Sequence, residues 1–204
     1  EGRWLQEAML KAPNPSSDDL FGDSIDIYEN TIVVGVPKED SSSTGVNGDQ
    51  NEVTRNSGAV YVFSKPNDVW LRQAYLKPSN TGVDDEFGSS VAIHKDMLVV
   101  GSPNENGDGV GVDASDVNAG ADESGAVYVF TSTSATWAQS AYIKASNTFP
   151  YAKFGSSLAI EDNILVVGPP GEGSDANEVN GNQFDRDQIA AGAAYLFTKE
   201  SGGW

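Results

Sequence analysis

Half of the 30 acidic residues in this chain fall in three stretches, 38–57, 104–124 and 171–191. Each stretch follows a Gly-x-Pro, and each places oxygen-bearing side chains at alternating positions. The tenth residue after the proline is Asn47, Asp113 and Asn180, preceded each time by a valine. Two positions further stand Asp49, Ser115 and Asn182, with Gly48 or Gly181 between in the first and third stretches. Alternation of this kind turns several oxygens inward around one hard cation, and irregular, carbonyl-rich loops suit calcium better than magnesium. The second stretch adds Asn104-Glu105-Asn106-Gly107-Asp108-Gly109, with oxygen ligands at positions 1, 3 and 5 and glycine at 6. Asp113 is the nearest candidate for the later acid that such a loop requires. The expected Ca2+ ligands are therefore Asp40, Asn47 and Asp49, then Asn104, Asn106, Asp108 and Asp113, then Asp175, Asn180 and Asn182. A plainer reading stands beside this one. Asp, Asn and Gly are ordinary surface-turn residues, because they tolerate left-handed backbone and cap their own chain. Loops of about 20 residues are nevertheless uncommon unless functional or ordered by something.

Other chemistry is scarce. Cysteine is absent, which excludes disulfides and thiolate-bound zinc or iron–sulfur centres. His94 is the single histidine, beside Lys95 in an expected hairpin turn, and no serine, histidine and acid set recurs. The carboxylate pairs Asp18-Asp19 and Asp84-Asp85 sit in polar loop sequence, where solvation is expected to leave them ordinary. The third unit replaces them with Pro150-Tyr151-Ala152-Lys153. The expectation is of a protein that is not an enzyme. A net charge of −18 leaves no basic stripe for phosphates, which argues against nucleic acid and anionic membrane surfaces. No apolar run reaches the length of a bilayer span. Residues Glu1-Gly2-Arg3-Trp4 carry no signal-peptide pattern.

The elements that must position these loops repeat three times. Trp4, Trp70, Trp137 and Trp204 are spaced 66, 67 and 67 residues apart, and Phe21-Gly22, Phe87-Gly88 and Phe154-Gly155 keep step with them, as do Tyr61, Tyr128 and Tyr195. One domain, 1–204, thus divides into repeats at 4–69, 70–136 and 137–203. In the first repeat, strand-like runs lie at Leu5–Lys11, Ser24–Tyr28, Ile32–Val36 and Ala59–Phe63. Aliphatic runs such as Leu98-Val99-Val100 and Leu165-Val166-Val167 suit strands covered on both faces. Val33, Val99 and Val166 are expected to be buried at equivalent positions. Glu29-Asn30, Lys95-Asp96 and Asp162-Asn163 read as two-residue hairpin turns. Four strands repeated radially make an all-β fold of β-propeller blades. A stacked β-solenoid is the competing architecture, usually with a shorter repeat. The strict period of the tryptophans favours blade packing over a carbohydrate-stacking set.

The ordered set Phe-Gly-x-Ser, Leu-Val-Val-Gly-x-Pro and Gly-Ala-Val-Tyr-Val-Phe resembles the FG-GAP repeat of integrin alpha-subunit propellers and related bacterial and marine surface proteins. That resemblance covers essentially the whole chain. It implies an extracellular or cell-surface β-propeller used in adhesion or ligand display, often with calcium in blade loops, and a protein or carbohydrate ligand. Many relatives carry their calcium loop between the Phe-Gly strand and the Gly-x-Pro strand. Here that link is only the tight turn Tyr28-Glu29-Asn30-Thr31 and its counterparts, so any metal would sit one connection later. The alternatives are spacer repeats of a large surface protein, or a propeller accessory to a hydrolase encoded elsewhere. In the blade order that the resemblance implies, the Phe-Gly strand is innermost and the Trp strand outermost. Three blades fall below the four to eight of a usual ring. Two chains would supply six, with Leu5–Lys11 of each pairing beside Ala193–Phe197 of the other. The rival expectation is that these blades belong to a longer chain.

Overall fold

The structure is a computed structural model that describes residues 2–114, 119–201 and 203–204. Its strands are β1 (Ser24–Tyr28), β2 (Thr31–Val36), β3 (Ala59–Ser64), β4 (Leu71–Leu76), β5 (Ser90–His94), β6 (Met97–Ser102), β7 (Ala126–Thr133), β8 (Thr136–Ile143), β9 (Ser157–Glu161), β10 (Ile164–Gly168) and β11 (Tyr195–Thr198). They form three antiparallel sheets in sequence order, β1–β4, β5–β8 and β9–β11, here blades one, two and three. The expected hairpin turns are present. Tyr28 pairs with Thr31 and His94 with Met97. Glu29, Lys95 and Asp162 take φ of 50°, 57° and 50°, the left-handed start that lets two residues reverse the chain. The one helical segment among the described residues is a single 3-10 turn at Pro66–Asp68. No helix there is long and apolar enough to cross a membrane.

The blades stack face to face, and two apolar layers lie between them. Val33, Val60 and Val62 of blade one pack with Phe87, Val91 and Ile93 of blade two. Ala92, Val99, Val127 and Val129 on the other face of blade two pack with Phe154, Leu165 and Val167 of blade three. Strands of blade two are thus covered on both sides, which is why β6 can be aliphatic without alternation. Close backbone approach accompanies this layering. A methyl group on Gly35 would overlap the Gly88 carbonyl, and one on Gly101 would overlap the Gly155 carbonyl. The serines of the first two Phe-Gly-x-Ser motifs tie blades together: Ser24 Oγ donates to the Gly88 oxygen at 2.7 Å, and Ser90 Oγ to the Gly155 oxygen at 2.6 Å. Parallel bridges join Gly58 to Phe87 and Gly125 to Phe154.

Three expectations are corrected. Leu5–Lys11 forms no strand: it is held beside blade one through side chains, Glu7 meeting Trp70 and Lys65, and not through a backbone ladder. The third sheet has three strands among the described residues rather than four. Val33 and Val99 are fully buried, whereas Val166 is only partly so, because no blade among the described residues covers the face on which it lies. The tryptophans do serve packing. Trp70 Nε1 donates to Glu7 Oε1 at 3.0 Å and Trp137 Nε1 to Gln73 Oε1 at 2.9 Å, each reaching the preceding Trp-led segment. Trp4 is fully exposed.

Candidate functional site

The long loops are strapped along the outer edges of the blades. Gly45–Asn47 runs antiparallel to the end of β4: Lys77 N–H donates to the Gly45 oxygen at 2.8 Å, and Asn47 N–H to the Tyr75 oxygen at 2.7 Å. The Asn47 side chain finishes the ladder, its Oδ1 accepting from Tyr75 N–H at 3.0 Å. Blade two repeats the device. Lys144 N–H bonds the Gly111 oxygen, Asp113 N–H bonds the Tyr142 oxygen, and Asp113 Oδ1 accepts from Tyr142 N–H at 3.2 Å. Asn47, Asp113 and Asn180 all take positive φ, 55°, 50° and 58°, and in the first two the side chain meets that amide. Open strand edges invite pairing with other chains, and these straps close them. On blade three there is no outer strand to cover, and the preceding valine, Val179, is 92% exposed instead of tucked in.

The other expected metal ligands are similarly occupied or scattered. Asp40 Oδ1 accepts from Asn56 N–H at 2.6 Å, and Asn106 Oδ1 from Glu123 N–H at 2.7 Å. Asn104 Oδ1 accepts from Lys153 Nζ at 2.7 Å. Asn182 donates to Asp185 Oδ2 at 2.8 Å, and Asp185 lies close enough to Asp175 to raise the latter's pKa. Asp49, Asp108 and Asn180 are exposed, and Ser115 lies outside the described residues. Among the described residues no group of three or more acidic or histidine side chains converges as a cation cage. The carboxylates expected to hold calcium are thus not gathered at one point, while Asp40, Asn47, Asn106 and Asp113 are engaged by backbone amides and Asn104 by Lys153.

Beneath each strap lies a buried polar cluster that the sequence reading passed over. Lys77, fully buried, donates from Nζ to Glu39 Oε2 at 3.2 Å, Ser57 Oγ at 2.8 Å and the Gly58 oxygen at 2.6 Å. Lys144 does the same to Glu105 Oε2 and Ser124 Oγ, both at 2.7 Å. Tyr142 OH donates to Glu105 Oε1 at 3.0 Å, and Asn80 Nδ2 donates to the same oxygen at 3.1 Å. Burial lowers the pKa of both lysines, with the glutamates opposing that shift. A lysine of lowered pKa against a serine is one way to activate a nucleophile. These serines are spent otherwise: Ser57 Oγ donates to the Ser41 oxygen and Ser124 Oγ to the Gly107 oxygen, both at 2.8 Å, in sites closed to solvent. They pin the strap to the outer strand. The signal was available as spacing, since lysine follows tryptophan by seven residues at Lys11, Lys77 and Lys144, and glutamate follows Gly-x-Pro at Glu39, Glu105 and Glu172. Blade three keeps Glu172 buried, held by Ser174 and by Asn147 Nδ2 at 3.2 Å, but carries Ala191 in place of the serine.

The carboxylate pairs split in two. Asp84 is solvated and pairs with Arg55, whose guanidinium, hydrogen-bonded to it, lowers its pKa. Asp85, expected to be ordinary, is 5% exposed and is pushed up to about 7, chiefly by burial and then by the nearby Glu105 charge. Lys144 and Lys77 offset part of that rise. Asp19, at the matching place in blade one, is also raised by burial, against a hydrogen bond from Ser16 N–H at 2.8 Å. The third unit puts Ala152 there, equally buried. A position that accepts alanine is a packing position. His94 sits at the hairpin end, 3.2 Å from Asp162 Oδ1 of blade three, which Lys95 also contacts.

The Phe-Gly turns, the glycine-to-glycine contacts and the strapped edges recur at one period, and comparison with known families agrees with that period. The FG-GAP repeat matches three times, over residues 4–63, 70–130 and 137–197. The chain belongs to the FG-GAP repeat family. No curated protein matches it. The FG-GAP signature residues are those with blade-joining contacts: Phe87 and Phe154 bridge to the Gly-Ala glycines Gly58 and Gly125 of the preceding blade, and Ser24 and Ser90 donate across the junction.

Proposed function

We propose that this chain is a non-enzymatic binding or adhesion module, presenting integrin-like propeller blades at the cell surface or outside the cell. FG-GAP repeats are typical of extracellular and surface proteins. The observation that carries the reading is the use made of its polar groups. The buried lysine, glutamate and serine of the clusters on blades one and two are committed to holding a strap, and the surfaces left for a partner are the exposed parts of the loops, such as Asp49 and Asp108. The ligand would be a protein or a carbohydrate, and no step of recognition is routed through calcium. The test is binding of the immobilised chain to arrays of matrix proteins and glycans, with the exposed Asp49 and Asp108 of the two loops replaced by alanine in separate variants. Signal that weakens in a variant whose melting temperature is unchanged supports the module. Signal that is unaffected in both variants, or turnover of a bound glycan, overturns it.

A second reading has its own support. Because Asn47 and Asp113 serve the sheet edge, the loops already have a structural task, which favours repeats acting as spacers in a larger surface protein. Absence of specific binding across the arrays would select it.

A further inference from the structure

Blade three carries a half-junction whose complement is on blade one. At the two internal junctions the same four contacts recur: a glycine stripped of side chain so that the next blade's Phe-Gly carbonyl can approach, a serine Oγ donating to that carbonyl, a second glycine bridged to the phenylalanine, and facing aliphatic residues. On blade three these are Gly168, Ser157 and Gly192. A methyl group on Gly168 would meet no neighbouring blade, only Ser157 on the adjacent strand of its own blade, and one on Gly192 would touch nothing nearer than 3.6 Å. Ser157 is exposed. Together with Pro170 and Ala193 these residues line a cavity of about 750 Å³. The apolar face beside it is uncovered as well, with Leu196 at 66% exposure.

Blade one offers the other half. Gly22 has open space around it, whereas Gly88 and Gly155, its counterparts, are pressed against the preceding blade. Ile25 and Ile27 are 69% and 57% exposed, although the matching Val91 and Ile93 are buried between blades. Charge follows the same division. Glu172 is buried without the lysine that Glu39 and Glu105 possess, and Lys11 is exposed at the position of Lys77 and Lys144.

We propose that the cavity on blade three is a socket for the Phe21–Gly22 turn of a second copy of this chain. Ser157 Oγ donates to the Gly22 oxygen of that copy, the two open aliphatic faces cover one another, and Leu5–Lys11 of the copy lies along β11 with Lys11 reaching Glu172. The same junction formed twice gives a two-fold ring of six blades, within the range that closed propellers use.

Light scattering and sedimentation on the 204-residue chain at micromolar concentration are expected to report a dimer. Gly168→Ala places a methyl where the Gly22 carbonyl must sit and is expected to leave a folded monomer, since in the single chain that methyl meets only the Ser157 side chain. Ser157→Ala, at an exposed site, is expected to weaken self-association by roughly tenfold, one hydrogen bond's worth, without changing the circular dichroism spectrum. A wild-type chain that stays monomeric overturns the proposal. So does a dimer whose affinity is the same in both variants, because it would use some other surface.

Discussion

Replacing Asp85 by Asn should make the protein more stable at pH 8 and leave it nearly unchanged at pH 4. Asp85 is 5% exposed, and its folded pKa is pushed up to about 7 by burial and by Glu105. In the unfolded chain an aspartate titrates near 3.9. Between those values the unfolded state has released its proton and the folded state has kept it. The folded state therefore binds more protons, and stability falls as pH rises through this window. Three pH units at 1.36 kcal/mol each come to about 4 kcal/mol of lost stability by pH 8. Asparagine has the same shape and still accepts the hydrogen bond from Gly82 N–H, but has no charge to desolvate. Thermal unfolding from pH 4 to pH 8 compares the two proteins, and the difference between their curves isolates this one group from all other carboxylates. At about 2 to 4 °C per kcal/mol for a chain of this size, the variant should melt on the order of 10 °C higher at pH 8. Parallel curves across the whole range would refute the argument, since they would mean that Asp85 ionises in the folded protein as it does in water.

Lys144→Met should destabilise by about 3 to 5 kcal/mol, because Glu105 is left buried without its cation, and adding Glu105→Gln should recover much of that loss in denaturant titrations. Gly101→Ala should cost about 3 kcal/mol or more by forcing blades two and three apart at the Gly155 carbonyl, read as a lower denaturation midpoint with unchanged slope. Excess calcium and excess chelator should give the same melting temperature, given that the loop oxygens do not converge. A rise of several degrees with calcium would show that the loops rearrange around it.

Much of the fold was legible in the chain because it follows from local and repeated features. Val33, Val99 and their neighbours form aliphatic runs too continuous for a half-exposed strand, Glu29, Lys95 and Asp162 start turns of two residues, and a period of 66 or 67 residues tells one blade from the next. The candidate site was legible only in outline. Asn47 and Asp113 stand at a spacing that suits a cation, and the same spacing suits the free amides of Tyr75 and Tyr142, which lie 28 and 29 residues away. An oxygen bonds whatever donor the fold brings near, and composition cannot say which. Asp84 and Asp85 are adjacent and identical in type, yet one is solvated beside Arg55 and the other is sealed near Glu105. Burial depends on what the neighbouring blade covers, a long-range fact that two adjacent letters do not contain. Val166 makes the same point in reverse: its sequence repeats that of Val99, and only the missing neighbour on that face leaves it partly exposed. Periodicity settled which residues are equivalent, and tertiary contact settled what each equivalent residue touches.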